Sequence, residues 1–142
     1  MTIKQISVQL QNIPGQLAKL VDILDKEDIS AKAISAASTA ESSVVRLVVN
    51  DPDRAEKVLE TFGFTFEVQP VLAVEVPCHP AGMNAIVKPL MDAEINIHYI
   101  YTTIERIGKE TILILGVDDH EEAAEILREH WIRFVGEQIY NL

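Results

Sequence analysis

Slid along itself by 66 residues, the chain overlays its own second half, and a duplication limits the possible folds more than any other feature. Val8 falls on Val74, Pro14 on Pro80, Val21 on Val87, Leu24 on Leu90, Ile29 on Ile95 and Ile34 on Ile100. These are 6 identities over the 31 positions from Gln5 to Ser35. The apolar spacing is the stronger evidence, because Leu17, Leu20, Val21 and Leu24 fall on Met83, Ile86, Val87 and Leu90. A turn two residues longer in the second copy, Glu105 to Glu110, then moves the offset to 68. Beyond it Val49, Asp51, Ala55 and Leu59 meet Val117, Asp119, Ala123 and Leu127. Two copies, 1–68 and 69–142, therefore meet near Gln69-Pro70 with almost no linker. The length of 142 residues suits one ordinary domain or two very small ones.

Each copy gives the same order of elements. Ile6, Val8 and Leu10 alternate with Ser7 and Gln9, the period of a half-buried strand. Pro14 suits the first turn of a helix, and Leu17, Leu20, Val21 and Leu24 give that helix one apolar stripe. A strand pair follows over Ile29 to Ser38 and Ser43 to Val49. Asp51-Pro52 opens a second helix with Ala55, Val58, Leu59 and Phe62 inward, and Gly63 closes it. Phe64, Phe66 and Val68 alternate as a last strand. In the second copy Asp119 and Glu122 have the spacing of a capping reach, and Trp131, Ile132, Phe134 and Val135 extend the apolar surface past the helix.

The order β-α-β-β-α-β predicts an α+β protein of two ferredoxin-like repeats. A domain of about 70 residues is marginal alone. The copies are therefore expected to depend on each other, their edge strands pairing into one continuous antiparallel sheet with helices on one face of each repeat. The other sheet face, with Ala37, Tyr99 and Tyr101, is the candidate surface for a homodimer. Pro89 interrupts the helix from Gly82 to Asp92, where it removes a hydrogen bond to Ala85 and costs about 3 kcal/mol unless accommodated. A tolerated packing variation explains it better than a functional hinge.

Composition excludes several functions. Lys plus Arg number 12 against 22 Asp plus Glu, a net charge of −10, so neither nucleic acid nor an anionic membrane is an expected partner. The longest apolar runs, such as Val71-Leu72-Ala73-Val74, are far short of the roughly 20 residues that span a bilayer. The N-terminus lacks an apolar signal segment, and the single Cys78 cannot form an internal disulfide, so a reduced, cytoplasmic chain is expected.

Catalytic patterns are missing as well. The six glycines are scattered, no Gly-x-Ser-x-Gly elbow occurs, and all four histidines lie in the second copy. Cys78-His79 offers the rival enzyme reading, a thiol or metal activity, but a metal needs three or four ligands, and His98, His120 and His130 lie on other elements. Asp118-Asp119 and Glu121-Glu122 open a helix, where acids offset the dipole. Neither the aromatic, basic strands of an RNA-binding domain nor the first-loop Cys-x-x-Cys of a heavy-metal carrier is present, and an acyl phosphatase's first-loop Arg is missing. No enzyme, cofactor or metal is expected. What remains is the first loop, Gln11-Asn12-Ile13-Pro14-Gly15-Gln16-Leu17, where a helix N-terminus offers unsatisfied N–H groups to a carboxylate and Gly15 permits close approach. A plain turn is the alternative.

These residues resemble the ACT domain family twice over. Its first strand ends in Asn-x-Pro-Gly-x-Leu, matched by Asn12 to Leu17, and its second strand opens after an acidic turn, matched by Glu27-Asp28-Ile29-Ser30-Ala31 and Glu94-Ile95-Asn96-Ile97. The second loop departs from the pattern, with Cys78 at the Asn12 position and Pro80-Ala81-Gly82-Met83 in place of Pro-Gly-x-Leu, which puts an equivalent second site in doubt. The resemblance implies a regulatory, allosteric module that binds an amino acid between the first loop of one copy and the second-strand start of the other. Carried over by position, the contacts are Asn12, Ile13, Gly15, Gln16, Leu17, Ile29, Ser30 and Ala31, with Cys78, His79, Ala81, Gly82, Met83, Ile95, Asn96 and Ile97 in the second copy. The ligand carboxylate would meet N–H groups near Gly15 and Gln16, and its ammonium the strand start near Asn96 or the side chain of Asn12. Leu17, Ile29 and Met83 suggest a small apolar side chain. Such a chain, without a catalytic domain, is expected to be a homo-oligomer acting on a separate amino-acid biosynthetic enzyme. A regulatory small subunit of acetolactate synthase and a purely structural adaptor are the alternatives.

Overall fold

The structure is a computed structural model that describes residues 2–142 apart from Arg106 and Lys109, so part of the longer turn expected at Glu105 to Glu110 lies outside the described residues. Six strands and four α-helices divide between two compact units. The first, Lys4–Gln69, holds β1 (Ile3–Gln11), α1 (Gln16–Lys26), β2 (Ala31–Ser38), β3 (Ser42–Val49), α2 (Pro52–Thr61) and the start of β4 (Thr65–Val76). The second, from Pro70, holds the rest of β4, then α3 (Gly82–Asp92), β5 (Ile97–Thr102), β6 (Thr111–Val117), α4 (His120–Glu129) and a closing 3-10 helix, Glu137–Asn141. Gln69 and Pro70 lie within β4, so the expected short linker is a strand.

In the first unit β3 pairs antiparallel with both β1 and β2. The start of β4 runs beside β1, where Gln69 Oε1 accepts from Ser7 Oγ at 2.8 Å and from Gln5 Nε2 at 3.3 Å. In the second, β6 pairs with β4 and β5 in the same way. Its last strand is reduced to a bridge of Phe134 to Val74, with Val135 N–H donating to the Ala73 carbonyl at 2.8 Å. The two cores fill from equivalent positions: Val8, Leu20, Leu24, Ala55 and Leu59 in one, Val74, Ile86, Leu90, Ala123 and Leu127 in the other. Two ferredoxin-like repeats are thus present.

All four helices end alike. Asp28, Gly63, Glu94 and Trp131 follow the C-caps with φ of 57°, 76°, 58° and 61°. The next residue, Ile29, Phe64, Ile95 or Ile132, donates its N–H back to Leu24, Leu59, Leu90 or Leu127. This is the Schellman arrangement, in which an apolar residue after the turn packs on the helix it closes. Trp131 is the expensive member. It holds the left-handed conformation that Gly63 holds at no steric cost, and its side chain is 91% exposed, not part of the apolar surface as expected. Trp131→Gly is therefore expected to stabilise the chain by about 1 kcal/mol, read as a higher denaturation midpoint; an unchanged or lower midpoint would show that the indole contributes more than its backbone costs.

Helix starts differ by position. Asp51 and Asp119 cap α2 and α4 by accepting from the N–H groups of Arg54 and Glu122, at 3.2 and 3.0 Å. No side chain caps α1 or α3. Pro14 lies in the turn before α1, not in its first turn, because Gly15 is the N-cap. Pro89 stays inside α3, which runs unbroken to Asp92. On the exposed surface the Lys4 ammonium, 2.9 Å from Asp53, holds that carboxyl below the usual range. This small contribution is present above the unfolded carboxylate pKa and is lost as pH falls.

The strand faces turned away from the helices differ in character. The first unit mixes Gln5, Ser7 and Arg46 there with the buried Ala33 and Val48; the second puts Val71, Ala73, Ile112 and Ile114 there, all at most 1% exposed. Of the candidate dimer residues, Tyr101 is buried, Tyr99 is half-buried with its ring against Gly116, and Ala37 is exposed.

Candidate functional site

The two first loops use glycine for different reasons. Gly15 sits at φ 89°, a backbone shape open to glycine, and nothing lies within 4 Å of where its Cβ would stand. The N-terminus of α1 therefore faces open space with no side chain to satisfy it, which suits a carboxylate. In the second repeat Ala81 takes that position at φ −96°. Gly82 follows, and a Cβ on it would come within 2.2 Å of the Pro77 carbonyl oxygen. Its N–H donates to the His79 carbonyl at 2.9 Å, as the equivalent Gln16 N–H donates to the Ile13 carbonyl at a longer 3.5 Å. A carboxylate arriving at the Gly82 backbone would meet an acceptor oxygen. The N-terminus of α1 is therefore the more open of the two to an anion.

The strand starts show the opposite bias. Ser30 is held on both sides by Asn50: its N–H donates to Asn50 Oδ1 at 2.9 Å, and its carbonyl accepts from Asn50 N–H at 3.1 Å. Asn50 Nδ2 also donates to the Asp28 carbonyl at 3.3 Å. The equivalent Asp118 gives a backbone bond, N–H to the Asn96 carbonyl at 3.3 Å, and its carboxylate has no N–H to match the Asn50 bond to Asp28. Asn96 thus keeps its side-chain amide near His98 Nδ1 at 3.4 Å and is the freer of the two. Asn50 escaped sequence reasoning, although Asn50-Asp51 against Asp118-Asp119 carried the signal. Asn50→Ala is expected to cost about 1 kcal/mol, measured by urea unfolding.

Within one repeat the carried-over residues do not converge. Gln11 pairs with Ser42, and Ser38 with Ser43, so the first loop shares a sheet end with the finish of β2. Ala31 pairs with Val49 at the other end, about 25 Å away along an eight-residue strand. Ile97 and the second loop are separated likewise. Ile29 and Ile95 point into the cores as helix-closing residues, which leaves only their backbone for a ligand. Ala31 and Ile97 pack against those cores. Ile13, Leu17 and Met83 are exposed, and Gln16 is half-buried at the helix start. Asn12 is engaged in holding the β2–β3 turn, its Nδ2 donating to the Thr39 carbonyl at 2.9 Å.

Cys78 is exposed and free. His79 Nδ1 accepts from the Ala81 N–H at 3.2 Å, so the neutral ring carries its proton on Nε2. Among the described residues no group of three or more His, Cys, Asp or Glu is placed to hold a metal, and no helix is long and apolar enough to cross a membrane.

Solved structures share this architecture. A Bacteroides thetaiotaomicron protein superposes with a TM-score of 0.90 at 25% identity, over 100% of this chain and 98% of that one. The regulatory subunit of aspartate kinase from Thermus thermophilus, in ligand-free form, gives 0.61 at 15% identity over 90% and 91%. Its counterpart from Thermus flavus gives 0.59 at 16% over 90% and 92%. No curated protein sequence matches the chain. A family profile described as an ACT domain pair matches residues 1–141, the span over which both repeats, both uncapped first helices and all four helix closures lie. The chain belongs to the ACT domain pair family.

Proposed function

We propose that the protein is an amino-acid sensor that regulates a separate metabolic enzyme. The observation that carries this reading is the open, uncapped N-terminus of α1 at Gly15, in a chain whose second helices are both capped by aspartate. A ligand carboxylate takes the N–H of Leu17, and that of Gln16 on release of its long 3.5 Å bond to the Ile13 carbonyl, along the positive end of the helix dipole. Its ammonium takes the amide and carbonyl of a strand start like Asn96. Since loop and strand start stand at opposite sheet ends, the ammonium half comes from outside the repeat that binds the carboxylate, and one repeat alone does not complete the site. Leu17 and Ile13, both exposed beside the loop, favour an apolar side chain on the ligand. The likeness to regulatory subunits of aspartate kinase supports action on a separate enzyme, and the family supports regulation over catalysis.

A thermal-shift panel of the twenty amino acids tests this. A ligand at about a hundred times its Kd adds about 2.7 kcal/mol, several degrees of Tm. Gly15→Asp puts a carboxylate at the site but also strains the backbone at φ 89°. Gln16→Glu is the cleaner variant, because an acid in the first turn helps α1 while repelling the ligand. Both variants are expected to lose the shift. A native chain that no amino acid stabilises contradicts the sensor reading, and undiminished shifts in both variants contradict the site.

A further inference from the structure

A groove of about 380 Å3 runs along α3 in the second unit, within the about 300–1,000 Å3 of small-molecule pockets. The repeat itself supplies a control for what lines it. In α1, Asp22 and Lys26 neutralise each other at 3.0 Å. The equivalent positions in α3 carry the charges in reverse, Lys88 before Asp92, the weaker order for a helical pair. Among the described residues neither has a hydrogen bond or ion pair, and both line the groove. One helical turn thus presents an exposed cation and an exposed anion side by side, neither with a partner among the described residues.

Pro89 adds an acceptor. It has no N–H to give the Ala85 carbonyl, and Ala85 and Pro89 both line the same groove. Two imidazoles complete the polarity. His79 Nδ1 accepts from Ala81, so its Nε2 is a donor. His130 Nδ1 lies 2.9 Å from the Ile126 carbonyl, which can only accept, so its Nε2 is an acceptor in the neutral ring. No metal cluster is formed by these groups. Donors (Lys88, His79) and acceptors (Asp92, Ala85, His130) therefore line one space.

We propose that this groove is a second binding site, for a small zwitterion of the free amino acid class. The carboxylate meets the Lys88 ammonium and His79 Nε2–H; the ammonium meets the Asp92 carboxylate, the Ala85 carbonyl and His130 Nε2. The site goes beyond the sensor reading above, with which it shares a ligand class and His79, because it lies within one repeat along α3 and uses neither Gly15 nor a strand start.

The test is a 15N-resolved NMR titration of the full chain with each of the twenty free amino acids. At least one is expected to move the amide signals of Ala85, Lys88 and Asp92. Lys88→Gln and Asp92→Asn should each weaken that binding about 10-fold or more, as loss of a hydrogen bond to a charged partner does. Exchanging the pair, Lys88→Asp with Asp92→Lys, restores the order of Asp22 and Lys26 and should abolish binding while the fold survives. Movement confined to Gly15, Gln16 and Leu17 overturns the groove and leaves the first-loop reading standing. Movement along α3 that persists in Gln16→Glu, with none at the first loop, does the reverse. Unmoved α3 signals with every amino acid, or unchanged affinity in Lys88→Gln, overturn the groove outright.

Discussion

Gly82→Ala is expected to destabilise the protein by about 3 kcal/mol, far more than an alanine costs at an ordinary helix start. The added Cβ would stand 2.2 Å from the Pro77 carbonyl oxygen and 3.1 Å from Val76 Cγ1. The nearest obstacle is backbone at the end of β4, so relief requires moving the strand end or the helix. A rotamer change cannot give it. Gly15→Ala offers the internal comparison. There the Cβ meets nothing within 4 Å, and only the positive φ opposes it, at about 1–2 kcal/mol. Urea unfolding of both variants separates crowding from conformational strain. Equal losses, or a Gly82→Ala loss under about 1 kcal/mol, would show that the second loop is looser than described.

That comparison marks what was legible in the sequence. The repeat, the element order, the Asp caps and the bounds of α3 followed from periodicity, because apolar spacing and N-cap chemistry act locally. Glycine in both first loops was visible, but not why it was there, since dihedral strain and close approach leave the same letter. In sequence, Ile29-Ser30-Ala31 reads as a strand start. In the structure Ile29 closes α1 and the strand begins at Ala31, because a Schellman turn and a buried strand call for the same apolar residue. Trp131 misled for a related reason: its apolar character promised burial, while its place after the C-cap fixed a backbone that turns it to solvent. The reversed charge order of Lys88 and Asp92 is readable only against Asp22 and Lys26, one repeat earlier.

The tail of the second unit carries the other large effect. β6 reads Ile112-Leu113-Ile114-Leu115 without alternation, as a strand buried on both faces must. Leu113 and Leu115 join the core beneath α3 and α4, while Ile112 and Ile114 face the other way and are equally buried. After Val135 bonds to the edge of β4 at Ala73, the chain turns into the 3-10 helix, where Ile139 is wholly buried. Ile139→Asp leaves a carboxylate in an apolar site or expels the helix from it. Either outcome costs about 3 kcal/mol or more. Ile139→Val, which removes one methylene and no shape, should cost only about 1 kcal/mol. If the tail shields the second sheet face, the aspartate variant will also bind an apolar dye under conditions where the native chain does not. An Ile139→Asp chain as stable as the native one, with no gain in dye binding, would mean that Ile112 and Ile114 are covered without the tail.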